Sequence, residues 1–291
     1  MFLVIQTLLN GLSSAANYAL LAVGLSLVYG ILNIANFAHG LLFALGGYSA
    51  VMLTTLGLPY FVVVPLAVAA TCVLAWLMEA GVVRPLLYSG SHHLSIIVTA
   101  ALAQAGVAVI NLAAGADPIS LPSPVSETML RVGPFFIAGQ RALSMAVAIC
   151  VLLALGAWLT RTTGGRQVLA VSQNPRGALY AGINVSKVRT TTFILGAACA
   201  ALAGVLIGPE TTVNPNMGTA ALVAGFTVVV LGGMGSIRGA LLSALVMGLL
   251  NAFSETYLSA RWAAALAWMV VVVVLLVRPQ GIAGRVALHR Y

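Results

Sequence analysis

The sequence contains very little charge. Only 6% of its 291 residues are Asp, Glu, Lys or Arg, against roughly 25% in a soluble globular domain. Lys187 is its single lysine. This scarcity excludes a chain that folds with water as its main solvent. Because 61% of the residues are apolar, the sequence predicts one compact domain, residues 1–291, embedded in a lipid bilayer.

The sequence also lacks the motifs of common catalytic sites. A phosphate-binding loop needs Gly before its Lys and Ser or Thr after it, whereas Lys187 stands between Ser186 and Val188. A His-Glu-x-x-His pair and a Gly-x-Ser-x-Gly elbow are missing as well. We therefore expect no enzymatic activity and no cofactor, and any ATP would be hydrolysed by another subunit. The adjacent His92 and His93 lack metal-site spacing, so we expect no metal either.

Cysteine usage and basic charge exclude two further classes. Cys72, Cys150 and Cys199 each stand within an apolar run, so we expect no disulfide framework. The net charge of +8 forms no basic face with interleaved aromatic residues, which predicts no nucleic-acid partner. No basic segment precedes the first apolar run, and we expect no cleaved signal peptide.

Nine apolar runs predict an all-α polytopic membrane protein with nine crossings, eight being the alternative. The last three runs are shorter than a comfortable span. The runs comprise residues 7–29, 31–56, 60–83, 94–115, 142–160, 190–208, 218–235, 240–253 and 262–277.

The distribution of basic residues predicts the orientation. With the C-terminus inside, only Arg131, Arg141 and Arg261 fall outside, and the other ten basic residues fall on the cytoplasmic side. The positive-inside rule therefore predicts an external N-terminus and a cytoplasmic C-terminus. The cytoplasmic set is Arg84, Arg161, Arg166, Arg176, Lys187, Arg189, Arg238, Arg278, Arg285 and Arg290.

Two connections are long enough to have structure of their own. The external one, residues 116–140, contains four prolines and predicts an irregular cap over the membrane. The cytoplasmic one, residues 161–189, predicts two short helices. Asn174 and Pro175 would cap and begin the second of them, and Gly182 would end it.

Two polar or glycine-rich stretches, residues 33–40 and 232–239, interrupt apolar runs. Gly-interrupted apolar segments at corresponding places in two halves are typical of a transport pathway, because broken helices expose backbone dipoles to a cavity. The alternative is that both are ordinary cytoplasmic turns. The candidate pathway residues are Asn33, Asn36, His39, Gly40, Gly232, Gly233 and Ser236.

Ionisable residues are scarce inside the apolar runs. His39 is the one that falls well within the membrane, where it is either a functional group or, as we favour, a neutral structural histidine bonded to a carbonyl. No carboxylate falls at mid-membrane, which argues against a carrier driven by protons or sodium. A self-contained carrier or channel for a small polar solute is the alternative function.

Five short motifs carry a resemblance that covers nearly the whole chain. In chain order they are residues 36–40, Glu79 with residues 84–86, residues 182–185, residues 231–236 and residues 278–281. In this order and spacing they resemble the permeases of branched-chain amino acid ABC importers, of the LivH type. The resemblance implies a type II-like importer permease with broken helices, which supplies half of a translocation pathway in the bacterial inner membrane.

The resemblance also implies partners. These are a second related permease, two cytoplasmic ATPases and an external solute-binding protein. Residues 166–182 of the cytoplasmic connection would dock on the ATPase, although an amphipathic helix lying on the lipid headgroups is the alternative. Related importers also move urea, amides and aromatic acids, so the resemblance leaves the substrate open. The expected coupling residues are Arg166, Asn174, Pro175, Arg176 and Gly182.

Overall fold

The computed structural model describes residues 2–88, 92–258 and 260–283, which form a bundle of helices. Each predicted apolar run overlaps a different helix, so the all-α membrane fold is confirmed. The bounds differ at two runs: residues 31–56 begin inside α1 and include a non-helical stretch, and residues 218–235 extend past the end of α10. The helices are α1 (Phe2–Leu32), α2 (His39–Thr55), α3 (Tyr60–Met78), α4 (Arg84–Tyr88), α5 (His92–Ala114), α6 (Gly139–Arg161), α7 (Thr163–Gln173), α8 (Pro175–Tyr180), α9 (Val185–Ile207), α10 (Met217–Gly232), α11 (Ile237–Tyr257) and α12 (Ala260–Val277). A π-helical turn, Glu79–Val83, joins α3 to α4.

Helix length separates complete spans from shorter segments. Within the described residues, six helices are long and apolar enough to cross a bilayer. The helices α2 and α10 have 17 and 16 residues, or roughly 25 Å of length each, short of a hydrocarbon core of about 30 Å. The count of eight or nine crossings therefore stays a prediction.

Helix α1 lies at the centre of the bundle. It packs along α11 and α9 and also contacts α6 and α10. These contacts depend on small residues: a Cβ added to Gly11 would lie 3.1 Å from the Cα of Leu249. Lipid supplies no hydrophobic drive for helix association, so close backbone approach and dispersion have to hold the helices together.

The connection over residues 116–140 is more regular than its prolines suggest. The prediction of an irregular cap is wrong for residues 129–138, which form an antiparallel hairpin of β1 (Met129–Val132) and β2 (Phe135–Ala138). Gly133 has a positive φ of 62° in the turn, a conformation that two-residue hairpin turns require. The side-chain amide of Gln6 donates to the backbone oxygen of Phe136 at 2.6 Å, which ties the hairpin to the start of α1.

Close packing of α2 on α9 generates a stability prediction. A Cβ at Gly46 would overlap the backbone of Ala201, so Gly46→Ala should destabilise the protein by about 1–3 kcal/mol through overpacking. The matched control is Gly156→Ala on α6, where a Cβ meets no described atom within 4 Å. Thermal unfolding of both purified variants in detergent measures the difference, and equal melting temperatures would contradict the packing.

Candidate functional site

The first chain break lies between α1 and α2. Asn33 has a positive φ of 54°, and its backbone N–H donates to the Tyr29 oxygen at 2.8 Å. The Oδ1 of Asn36 accepts from the Ala38 N–H at 3.1 Å. Short polar side chains of this kind replace helical hydrogen bonds locally. The polar side chains in residues 33–38 thus stabilise the break between α1 and α2 that the sequence predicted.

His39 begins α2 and points into the bundle core. Its side chain is fully buried, and its Nε2 lies 3.3 Å from the backbone oxygen of Leu21. A Cβ at Gly24 would lie 3.4 Å from the imidazole Cε1. This packing supports the structural alternative for His39, and its place in a pathway stays a prediction.

The second break lies between α10 and α11. Gly233 and Gly235 both have positive φ values, 97° and 80°, which glycine adopts without strain. Ser236 accepts a hydrogen bond from the Gly239 N–H at 3.1 Å and so caps α11. The backbones of Gly232 and Gly239 touch where the chain turns. Gly232, Gly233 and Ser236 therefore have local structural roles, whatever else they do.

The C-terminal turn closes the end of α10. After α12, Gly281 has a φ of 79°, and the next two N–H groups donate to α10 carbonyls. Ile282 bonds the Leu231 oxygen at 2.8 Å, and Ala283 bonds the Gly232 oxygen at 3.0 Å. The last carbonyls of a helix otherwise have no partner. In the sequence, this turn stood out only as one of the five motifs of the family resemblance. Its contact with α10 was not predicted, because a local pattern cannot show a contact between residues about 50 positions apart.

The two breaks lie side by side. A Cβ at Gly235 would lie 3.3 Å from the Cα of Gly30, just before the first break. The ring of Phe37 also packs on Phe226 of α10, with 5.3 Å between the ring centroids. The structure thus brings together two stretches that are about 200 residues apart in the sequence.

The connection over residues 161–189 contains the two predicted helices, α7 and α8. Asn174 accepts from the Gly177 N–H at 2.9 Å and caps α8, whose first residue is Pro175. Gly182 has a φ of 79°. Its N–H donates to the Leu179 oxygen, and the Ile183 N–H donates to the Ala178 oxygen, both at 3.0 Å. This pair of bonds is a Schellman motif, so the expected helix end is confirmed.

The surface of α8 exposes apolar side chains that the sequence analysis missed. Leu179 is 61% exposed and Tyr180 is 89% exposed, and both follow the exposed Arg176. The signal available in the sequence was the adjacent pair of large apolar residues between Pro175 and Gly182. An exposed apolar pair beside a cation is suited to a protein contact.

An ion pair between the buried Glu79 of the π-helical turn and the partly exposed Arg84 of α4 contacts the first half of α9. Glu79 is 2% exposed and accepts two bonds from the Arg84 guanidinium, at 2.8 and 3.2 Å. The Thr190 hydroxyl donates to Glu79 at 3.1 Å and accepts from Arg84 at 3.0 Å. Thr190 stands directly after the residues 161–189 connection. The ion pair therefore links this connection to the π-helical turn.

A polar cluster lies at the opposite end of α9. Gln140 donates to the Leu206 oxygen at 2.8 Å, and Ser144 donates to Glu210 at 3.0 Å. Arg141 lies 3.6 Å from the Glu210 carboxylate. Burial raises the pKa of Glu210, while the Ser144 hydrogen bond and the Arg141 charge oppose that rise. The cluster holds the end of α9 against α6.

Some sequence predictions fall on parts of the chain for which the structure gives no description. These are the roles of the His92 and His93 side chains and the placement of the Arg261 side chain, Arg285 and Arg290. Both terminal residues lie outside the described residues as well.

The chain is similar in sequence to a known family of proteins. The family model described as "Branched-chain amino acid transport system / permease component" matches residues 7–277. The chain belongs to this family. It is 32% identical to the high-affinity branched-chain amino acid transport system permease protein LivH of Escherichia coli K12, over 97% of this chain and 96% of LivH. It is equally similar, at 32% over 97% and 96%, to the corresponding protein BraD of Pseudomonas aeruginosa.

A solved structure supports the fold. PsaBC from Streptococcus pneumoniae, determined in complex with Fab, superposes with a TM-score of 0.55 at 15% identity, covering 93% of this chain and 91% of that one. The family membership confirms the resemblance read from the sequence. The chain is thus a multi-pass permease subunit of an ABC importer, in which a separate subunit hydrolyses ATP.

The Glu79–Arg84 pair generates a prediction for this site. Arg84→Leu leaves a buried carboxylate without its cation, which costs about 3–5 kcal/mol when the pair is fully buried. We expect the lower end, because Arg84 is 38% exposed. The double variant Glu79→Gln/Arg84→Leu should recover most of the loss. Thermal unfolding of both variants tests this, and a double variant as unstable as the single one would refute it.

Proposed function

We propose that this chain imports branched-chain amino acids, and that it supplies half of a pathway whose other half comes from a second, related permease. The observation that carries the proposal is similarity to LivH and BraD along 97% of the chain. Two ATPase subunits on one membrane face and a solute-binding protein on the other would complete the importer. The arginine distribution supports an external N-terminus and a cytoplasmic C-terminus.

The pathway in this proposal runs beside the two breaks. Asn36 is 1% exposed, and its Nδ2 has no hydrogen-bond partner among the described residues. A buried donor without a partner costs about 1–3 kcal/mol, so water or a passing solute is a reasonable partner for it. Asn33 is exposed, and Gly40 lets the backbone of α2 approach that of α10 at Gly218. Both observations support the place of these residues along the same route.

The residues 161–189 connection is proposed to transmit ATP-driven movement. Capping at Asn174 and Gly182 makes α8 a compact projection, and Arg166 lies on the exposed side of α7. Arg176 stands in the first turn of α8, where the helix dipole disfavours a cation by roughly 0.3–1 kcal/mol. An acidic partner on the ATPase would offset this cost. Contacts run from α7 to α6 and α9 and from Thr190 to the Glu79–Arg84 pair, so a push on α8 reaches the bundle.

Reconstitution tests the proposed function. The complete importer in proteoliposomes, with its binding protein outside and ATP inside, should accumulate radiolabelled leucine. Omission of the ATPase subunits should abolish uptake. Leucine uptake that persists without them would favour a self-contained carrier, and failure with all three branched-chain amino acids would reject the substrate class.

Charge reversal at Arg176 tests the coupling role. Arg176→Glu relieves the conflict with the helix dipole but repels an acidic partner, so we expect normal folding with ATP-dependent uptake reduced at least about tenfold, the effect of about 1.4 kcal/mol. The matched control is Arg176→Lys, which keeps the positive charge at the same exposed position. Co-purification of the ATPase and leucine uptake are measured together. A fully active Arg176→Glu importer would contradict the docking role.

A further inference from the structure

A cavity of about 180 Å³ lies between α2, α5 and α10. Its walls are mainly apolar and include Phe37, Leu41, Ala103 and Leu222. Gln104 and Thr219 are the polar side chains in its lining, and both are exposed at its edge. No charged side chain lines it among the described residues.

The chemistry of the lining selects its occupant. A charged group that entered this cavity would lose its water without gaining an ion partner, which is strongly unfavourable. An aliphatic group loses nothing by the same transfer. An apolar cavity of about 150 Å³ in another protein accommodates benzene, so this one has room for a branched aliphatic or small aromatic side chain. The amide of Gln104 and the hydroxyl of Thr219 can bond one polar group at the edge.

The position of the cavity connects it to the first break. Gly40 and Gly218 line it and bring the backbones of α2 and α10 into direct contact. Phe37, also in its wall, belongs to the break, and its N–H donates to Thr99 of α5 at 3.3 Å. A solute at the break would therefore have an apolar recess beside it.

The third wall is the least tightly held. Helix α5 is exposed along most of its length. Its close contact with α2 is at Gly106, where a Cβ would overlap the Leu41 side chain. The size of the cavity therefore depends on the side chains that α5 presents, Ala103 among them.

We propose that this cavity is the subsite for the apolar side chain of the transported solute, and that it discriminates solutes by side-chain size. This inference rests on the proposed import of amino acids. Among zwitterionic solutes it favours uncharged aliphatic side chains that match the volume left by Ala103 and Leu222.

Ala103→Phe fills the cavity and tests the proposal. In the complete importer, ATP-dependent leucine uptake relative to alanine uptake should fall about tenfold, a size of effect expected for apolar groups displaced from a fitted pocket. The matched control is Ala101→Phe. Ala101 is exposed and lies about 200° around the α5 axis from Ala103. The control should keep the wild-type ratio of leucine to alanine uptake. Size-exclusion profiles and binding-protein-stimulated ATP hydrolysis verify that both complexes assemble.

Leu222→Ala enlarges the same cavity and guards against a folding defect in the first variant. Its uptake of phenylalanine relative to leucine should rise several-fold. The proposed subsite is wrong if neither variant changes these uptake ratios, or if Ala101→Phe changes them as much as Ala103→Phe does. Unchanged ratios are also the result expected if a lipid chain, and not the solute, occupies the cavity. A wild-type importer that moves no amino acid at all would instead reject the proposed function.

Discussion

The absence of water from the bilayer core is the constraint on which the rest of this structure depends. A helix that stops inside hydrocarbon leaves carbonyl and N–H groups that nothing in lipid can bond. Both breaks meet this constraint with groups from the chain itself. At the first break Asn36 accepts from the Ala38 N–H, and at the second Ser236 caps α11. Ile282 and Ala283 of the C-terminal turn donate to carbonyls at the end of α10. The irregular backbone of both breaks is thus bonded largely by the chain itself, although Asn33 and Met234 are exposed.

Small residues determine which helices are fixed and which are free to shift. Glycines at the crossings of α1 with α11 and of α2 with α9 allow backbone contact, and a side chain at Gly46 would overlap α9. This packing makes the centre of the bundle rigid. Helix α5 has little of it, and so it forms the least constrained wall of the cavity. A rigid bundle with one loosely held wall is a physical arrangement in which access to a solute can change without unfolding.

The two ends of α9 are tied down by different chemistry. At its start, Thr190 joins the buried Glu79–Arg84 pair, and near its end Gln140 of α6 binds the Leu206 carbonyl. The chain enters α9 at Val185, about one and a half turns before Thr190. Movement of α8 would therefore act on a helix that contacts α1, α2 and α3. The proposed coupling needs such a rigid element, because a flexible connection would not transmit the displacement of α8 to the other helices.

The sequence by itself determined that the chain is embedded in lipid and all-helical, where the apolar helices lie along it and which residues cap helices locally. These follow from composition, apolar length and short-range hydrogen bonding, as at Asn174, Pro175 and Gly182, where cap and helix lie within a few residues. It also supplied the family through five motifs. The tertiary structure alone decided the burial of His39 against Leu21, the closure of α10 by the C-terminal turn and the cavity beside Ala103. Each of these depends on contacts between distant residues, and periodicity and capping describe only neighbours along the chain. The hairpin over residues 129–138 is a local feature that was still missed, because four prolines in its connection masked two short strands.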